Sequence, residues 1–127
     1  AQGRALLILG PSGSGKSGLA LQMMAAGARL VADDRTILTD AGDHLMASCP
    51  AATRGLIEAR GVGLLRAEPL RSARVTLAAD LAQTEADRLP QPRSILLLGH
   101  EIDLVHGPVT AHFAAALLLY LSAGRRE

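Results

Sequence analysis

Lysine is almost absent from this 127-residue chain, which carries twelve arginines but a single lysine, Lys16. Aromatic residues are also scarce, since Phe113 and Tyr120 are the only two and tryptophan is missing. The core must therefore be aliphatic, and the aromatic platforms on which nucleic-acid bases stack are not available. The formal net charge of +1 gives no general attraction to nucleic acid or anionic lipid. We therefore expect neither a nucleic-acid nor a membrane partner.

Cysteine occurs once, at Cys49, so no disulfide can form within the chain and a cytoplasmic location is expected. Long hydrophobic runs are missing too, because the most apolar stretch, residues 113–121, is too short to cross a bilayer. Hydrophobic residues make up 49% and charged residues 20% of the chain, which is typical of a globular protein. The length predicts one domain over residues 1–127.

The lone lysine lies in a glycine-rich segment that fits G-x-x-x-x-G-K-[ST], the phosphate-binding loop of nucleotide-using enzymes. Glycines let successive N–H groups turn inward around an anion, and the helix that follows adds the partial positive charge of its N-terminus. The predicted nucleotide-binding residues are Gly10, Ser12, Gly13, Ser14, Gly15, Lys16 and Ser17. Lys16 is expected to contact the β- and γ-phosphates and Ser17 to bind Mg²⁺, so ATP and Mg²⁺ are the predicted cofactors.

This motif is informative only when a strand precedes it and a helix follows. Residues 5–9 are a continuous apolar run, as expected for a strand buried on both faces. Residues 16–26 favour a helix that ends near Gly27. The alternative is a glycine-rich turn that matches by chance, and the strand and helix context argues against it.

The rest of the chain predicts an α/β fold that is richer in strand pairs than a doubly wound nucleotide-binding fold. A helical turn is expected at 50–53 and a final helix at about 109–122. The strand at 94–98 is expected to be buried because the four residues after Ser94 are all apolar. Residues 55–63 are predicted as a strand that leads into a glycine-rich bend. The other predicted strands after the first helix are 29–32, 36–39, 44–47, 75–81, 94–98 and 102–105.

Acidic residues follow the predicted strand 29–32, where Asp33 and Asp34 end it. Ligands bind at the carboxyl ends of strands in open α/β sheets, and neighbouring residues on an extended backbone point to opposite sides. One aspartate is therefore expected to face a metal ion and the other an acceptor, with a simple polar turn as the alternative. Glu58 and Arg60 are two apart on a predicted strand, so they share a face. They suit either a site for metal and phosphate or a surface ion pair.

The run from Gly10 to Arg35, together with GLIEARGVGLL at residues 55–65, resembles the catalytic domain of bacterial HPr kinase/phosphorylase. That family follows its phosphate loop with a leu-val-ala-asp-asp strand and then a glu-x-arg-gly-hydrophobic-gly signature. The resemblance covers residues 4–65 of the chain. Full-length members of the family carry an N-terminal domain that the printed sequence does not include, so the resemblance implies the short form found in alphaproteobacteria.

The resemblance implies a phosphate-loop kinase core related to phosphoenolpyruvate carboxykinase, with a mixed sheet, a long helix after the loop and a C-terminal helix. It implies an ATP-dependent serine kinase, and in reverse a phosphorylase, acting on an HPr-like phosphocarrier protein of the phosphotransferase system in the control of carbon metabolism. A homo-oligomer, usually a hexamer, is expected. The implied catalytic residues are Asp33 as proton acceptor, Arg60 and Lys16, and the implied metal ligands are Ser17, Asp34 and Glu58.

The chain departs from the family near its C-terminus. Where the family has a pro-gly-arg-asn segment that supplies an arginine, residues 106–109 read His-Gly-Pro-Val. A histidine that the family places before the first strand falls outside the chain. Two other functions therefore stay open: a nucleotide-binding regulatory module with little catalysis, and a small-molecule kinase with the same loop.

Overall fold

The computed structural model describes residues 3–124, which form eight strands, two α-helices and one 3₁₀ turn. In chain order these are β1 (Arg4–Leu9), α1 (Lys16–Ala25), β2 (Ile37–Asp40), β3 (Leu45–Ser48), the 3₁₀ turn Ala51–Thr53, β4 (Leu56–Ala59), β5 (Gly63–Arg66), β6 (Ser72–Thr84), β7 (Arg93–Leu97), β8 (His100–Gly107) and α2 (Phe113–Ala123). The expected α/β class, with a helix after the loop and a second near the C-terminus, is confirmed.

Six of the strands form one mixed sheet built around β6. β6 runs parallel to β1 and β8 and antiparallel to β3, while β2 and β7 complete the sheet. Because β1, β6 and β8 are parallel, their carboxyl ends meet at one edge, where Leu9, Asp80 and His106 are in register. We call this the carboxyl edge. The glycine-rich loop leaves the sheet there.

Two apolar clusters hold the sheet in place. On one face, α1 and α2 pack on β6 through Leu19, Leu77 and Leu117, each at most 2% exposed. Burying one such leucine contributes about 1.5–3 kcal/mol. On the other face, a second cluster centred on Leu45 is enclosed by the curl of the sheet itself. This packing fixes α1 against β1 and so fixes the loop between them.

The predicted strand at residues 29–32 is wrong. The segment has no ladder of hydrogen bonds to β1; instead, the carbonyl of Leu30 accepts a bond from the N–H of Leu70 at 2.8 Å. A cavity of about 290 Å³, lined by Met23 and Val31 among others, lies between this segment and β1. The segment is β-prone in sequence, but its backbone partner is the loop before β6 rather than a strand.

One further expectation needs correction. The strand at 94–98 exists as β7, but it lies at the edge of the sheet rather than buried, and Leu96 is 71% exposed. The strand and glycine-rich bend expected at 55–63 are both present, because β4 ends at Ala59 and the chain then turns back into β5. Gly61 and Gly63 have φ angles of 85° and 140° in that turn, a backbone that favours glycine.

The last helix begins later than expected. Residues 109–112 form a turn in which the N–H of Phe113 bonds the carbonyl of Thr110 at 3.2 Å, and α2 starts only at Phe113. It ends where Gly124 adopts a φ of 78°, as the glycine there predicts. No helix among residues 3–124 is both long enough and apolar enough to span a membrane.

Candidate functional site

The loop after β1 needs glycine for steric reasons. Gly10 has a φ of 148°, and a Cβ added there would lie 2.6 Å from the Oγ of Ser14. Gly13 and Gly15 also have positive φ angles, 83° and 96°. The Ser14 hydroxyl is buried and finds no hydrogen-bond partner among the described residues. The loop therefore wraps tightly around a centre that presents polar groups without protein partners.

The start of α1 presents donors without acceptors. The N–H of Leu19 is the first in the helix to find one, the carbonyl of Gly15 at 2.9 Å. In the described part of the chain, no hydrogen bond takes up the N–H groups of Lys16, Ser17 or Gly18, and no side chain caps the helix. Unpaired N–H groups at a helix N-terminus form an anion site. This donor set fits the phosphates of a nucleotide.

The side chain of Lys16 closes the loop. Its Nζ donates a hydrogen bond to the carbonyl of Gly10, so the ammonium group lies across the mouth of the nest. A compact ammonium on a thin stem can reach this point, whereas the planar fork of an arginine could not be accommodated in the same way. The single lysine of the chain therefore lies where the sequence placed it.

The carboxylate of Asp33 connects three parts of the site. Its Oδ1 accepts a hydrogen bond from the Ser17 hydroxyl at 2.7 Å, and its Oδ2 accepts one from the backbone N–H of Glu58 at 3.0 Å. Asp33 thereby joins the N-terminus of α1 to β4. Hydroxyl and carboxylate oxygens are the ligands that Mg²⁺ prefers. Ser17 and Asp33 present such oxygens beside the nest, so the residues fit a magnesium ion held next to bound phosphate.

The other predicted residues are not tied into this arrangement. Asp34 is exposed with a φ of 65°, so the backbone there is not extended, and no hydrogen bond or ion pair holds its side chain among the described residues. Arg60 lies in the turn after β4 rather than on the strand beside Glu58. No three His, Cys, Asp or Glu side chains of residues 3–124 lie close enough to form a metal site by themselves. The structure thus brings together Lys16, Ser17 and Asp33, with Glu58 joined through its backbone.

Two residues at the carboxyl edge escaped the sequence analysis. Asp80 follows the buried part of β6 and pairs with the last residue of β1, and His106, one residue before the end of β8, pairs with Asp80. An apolar run that ends in an acid, as at residues 75–80, was the available signal. It was not decisive, because nothing local shows that β6 runs parallel to β1 and adjacent to it.

Comparison with known proteins shows the family of the chain. Residues 2–111 match the family model of the HPr Serine kinase C-terminal domain. The chain belongs to this family. It is 35% identical over 120 residues to the HPr kinase/phosphorylase of Chloroherpeton thalassium, covering 84% of this chain and 35% of that protein. It is 49% identical over 61 residues to the HPr kinase/phosphorylase of Xanthomonas campestris, covering 47% of this chain and 19% of that protein.

A solved structure extends the likeness to the HPr kinase fold. The Hpr(Ser) kinase/phosphatase from Coxiella burnetii superimposes with a TM-score of 0.74 at 25% identity, covering 90% of this chain and 77% of that one. The resemblance inferred from the loop and the asp-asp and arg-gly segments is thereby confirmed. The chain spans about a third of the length of the first curated relative, since it covers 35% of it.

Proposed function

We propose that this chain is the catalytic part of an ATP- and Mg²⁺-dependent protein serine kinase that acts on an HPr-like phosphocarrier protein. The observation that carries the proposal is the Ser17–Asp33–Glu58 connection beside the Lys16 nest. It puts a phosphate site, a metal-binding hydroxyl and a carboxylate at one point, which phosphoryl transfer requires. Family membership and the names of the relatives support the same function.

The loop amides and Lys16 bind the β- and γ-phosphates in this proposal. Ser17, Asp33 and the side chain of Glu58 hold Mg²⁺, which supplies neutralisation of phosphate charge when bound. The Ser17 hydroxyl is oriented by its bond to Asp33 at 2.7 Å. Arg60, on the turn between β4 and β5, supplies positive charge to the transferring phosphoryl group.

The geometry supports a division of labour between the two aspartates that is the reverse of the one implied by the resemblance. Each oxygen of Asp33 already accepts one hydrogen bond from a protein donor, and the proposal assigns its remaining lone pairs to Mg²⁺. Asp34 is exposed and unbonded within the described residues, so its carboxylate can reach an incoming hydroxyl. A general base needs a free lone pair within hydrogen-bond reach of the proton it takes. We therefore assign Asp34 as the base and Asp33 as the residue that orients Ser17 and the metal.

The reaction then balances as follows. The acceptor serine oxygen attacks the γ-phosphorus, its proton passes to Asp34, and the bond to the β-phosphate oxygen breaks to release ADP. In the reverse direction an oxygen of inorganic phosphate attacks the phosphorus of phosphoserine, the bond from that phosphorus to the serine oxygen breaks to give pyrophosphate, and the protonated Asp34 returns its proton to the serine oxygen. The first step needs the base ionised and the second needs it protonated.

The test is transfer of radiolabelled γ-phosphate from ATP, with Mg²⁺, to purified HPr-like proteins. We expect label on the native acceptor and none on a version whose acceptor serine is replaced by alanine. A Lys16→Met variant should lose transfer because the phosphates lose their only lysine contact. A protein that binds ATP but labels none of the HPr-type acceptors offered would refute the kinase proposal.

The same outcome would favour the second candidate, a nucleotide-binding regulatory module. Residues 106–109, which lack the arginine of the family's segment, favour that alternative. ATP binding that changes assembly without turnover would then be observed.

The cytoplasmic location, the homo-oligomer, the link to phosphoenolpyruvate carboxykinase and the control of carbon metabolism stay predictions.

A further inference from the structure

The carboxyl edge continues past the phosphate loop across β6 and β8. β6 adjoins β1, and β8 adjoins β6, so Asp80 and His106 follow Leu9 across the edge in register. Strands in a sheet are about 4.8 Å apart, which puts the backbones of Asp80 and His106 roughly 5 and 10 Å from the end of β1. Such distances match the reach of a nucleotide whose phosphates lie at the loop.

The backbone at this place bulges towards the loop. The register of β6 against β8 passes from Asp80 opposite His106 directly to Thr84 opposite Gly107, so residues 81–83 have no partners in β8. Bulges redirect side chains and are common beside functional sites. Asp80 shapes this one, because its Oδ1 accepts the N–H of Ala82 at 2.9 Å.

The bulge touches both neighbours. A Cβ added to Gly10 would lie 3.4 Å from the Cβ of Leu81, so Leu81 packs under the entrance of the phosphate loop. A Cβ added to Gly107 would lie 3.3 Å from the carbonyl oxygen of Gln83. Loop, bulge and the end of β8 therefore form one continuous surface. Asp80 and His106 are both half-buried on it, and in-register residues of parallel strands present their side chains on the same face.

The direction of a bound nucleotide follows from Asp33. In the proposed function the metal ion and the terminal phosphate lie beside Ser17 and Asp33, and Asp33 is bonded to β4, which belongs to the separate two-stranded sheet. The sugar and base lie at the other end of the molecule, so they extend towards β6 and β8. We propose that Asp80 and His106 bind the nucleoside part of the nucleotide. The Oδ2 of Asp80, which has no partner among the described residues, accepts a hydrogen bond from a ribose hydroxyl or a base amino group, and the His106 ring contacts the base or sugar.

This inference rests on the proposed function, and one comparison separates the two. Dissociation constants are measured by calorimetry for ATP and for inorganic tripolyphosphate, which has the phosphates but no nucleoside. In Asp80→Asn we expect ATP binding to weaken about tenfold, as for the loss of one hydrogen bond to a charged group, and in His106→Gln about fivefold, as for the loss of one neutral contact. Tripolyphosphate binding should stay within about twofold in both variants. Asp43→Asn and His44→Gln, exchanges of the same kind in the turn between β2 and β3, should change neither constant.

Equal weakening of both ligands would overturn the inference, because the residues would then only support the loop. Unchanged ATP binding in both variants would also overturn it. The unaltered protein provides a second measurement by NMR: the His106 imidazole signals should shift with ATP and not with tripolyphosphate, and identical shifts would count against nucleoside contact. If the unaltered protein labels no acceptor while the two variants still weaken ATP binding and spare tripolyphosphate binding, the kinase function alone is refuted. If the unaltered protein does not bind ATP, both proposals are refuted.

Discussion

The sharpest prediction concerns the neighbouring residues Asp33 and Asp34. Asp33 is hydrogen-bonded to Ser17 and Glu58, whereas Asp34 is exposed. We expect Asp34→Asn to abolish most phosphoryl transfer while leaving ATP affinity and stability unchanged. Asparagine has nearly the same shape and tolerates the left-handed backbone that Asp34 adopts at φ 65°. An amide cannot accept the serine proton, so only the base function is removed.

The magnitudes follow from the contacts. General base catalysis contributes about 10²- to 10⁴-fold, so transfer by Asp34→Asn should fall by that factor. Its free energy of unfolding should stay within about 0.5 kcal/mol, as for a surface substitution without partners. In Asp33→Asn, an NH₂ group replaces one carboxylate oxygen. It disrupts either the bond from the Glu58 N–H, at 3.0 Å, or the bond from the Ser17 hydroxyl, at 2.7 Å. That loss should cost about 1 kcal/mol of stability and raise the Mg²⁺ concentration needed for half-maximal rate.

The assay combines single-turnover transfer, ATP calorimetry, a Mg²⁺ titration of the rate and urea unfolding for both variants. The reasoning fails if Asp34→Asn transfers phosphate at close to the unaltered rate while Asp33→Asn abolishes transfer with no change in Mg²⁺ requirement. In that case Asp33 would be the base and its hydrogen bonds to Ser17 and Glu58 would break when substrate binds.

Two further predictions concern the loop and an ion pair at the surface. Gly10→Ala should abolish ATP binding, because the new Cβ would lie 2.6 Å from the Ser14 Oγ. Gly42→Ala, also at a positive φ but with open space around it, should leave ATP binding unchanged. Calorimetry with ATP on both variants tests this prediction. Hydrogen bonding from Arg93 holds the pKa of Glu85 below its ordinary value. The Glu85–Arg93 pair therefore contributes its full stabilisation above about pH 4.3, the ordinary pKa of a glutamate in the unfolded chain. This stabilisation is lost as the pH falls through the lower pKa that Glu85 has in the folded protein. Glu85→Gln should flatten the acid limb of the stability curve measured by urea unfolding, and parallel curves for the two proteins would contradict this.

Prediction from sequence succeeded where the cause is local. The strand before the loop, the glycines in it and the helix after it follow from an apolar run, backbone freedom and a short helical pattern. The hairpin of β2 and β3 follows from a turn between two apolar segments. The placement of Lys16 and Ser17 was predictable for the same reason, because the loop is one continuous segment of chain.

Prediction failed where the partner of a segment is distant in sequence. Residues 29–32 have the composition of a strand, but hydrogen bonding to the loop before β6 keeps them out of the sheet. Residues 94–98 are as apolar as a central strand, but their position at the sheet edge leaves Leu96 exposed. Burial and pairing depend on what lies next to a segment, which composition does not state.

By itself, the sequence determined that a phosphate-binding loop with one lysine stands between a strand and a helix, and that acids follow it. Only the tertiary structure decided which aspartate meets Ser17, since a positive φ at Asp34 breaks the alternation that an extended backbone would impose. It alone also placed Asp80 and His106 at the same edge as the loop, because two strands more than sixty residues along the chain run parallel to β1. The loop is one continuous segment, so the sequence predicts it, whereas its neighbours depend on which distant strands pair with β1 and β6.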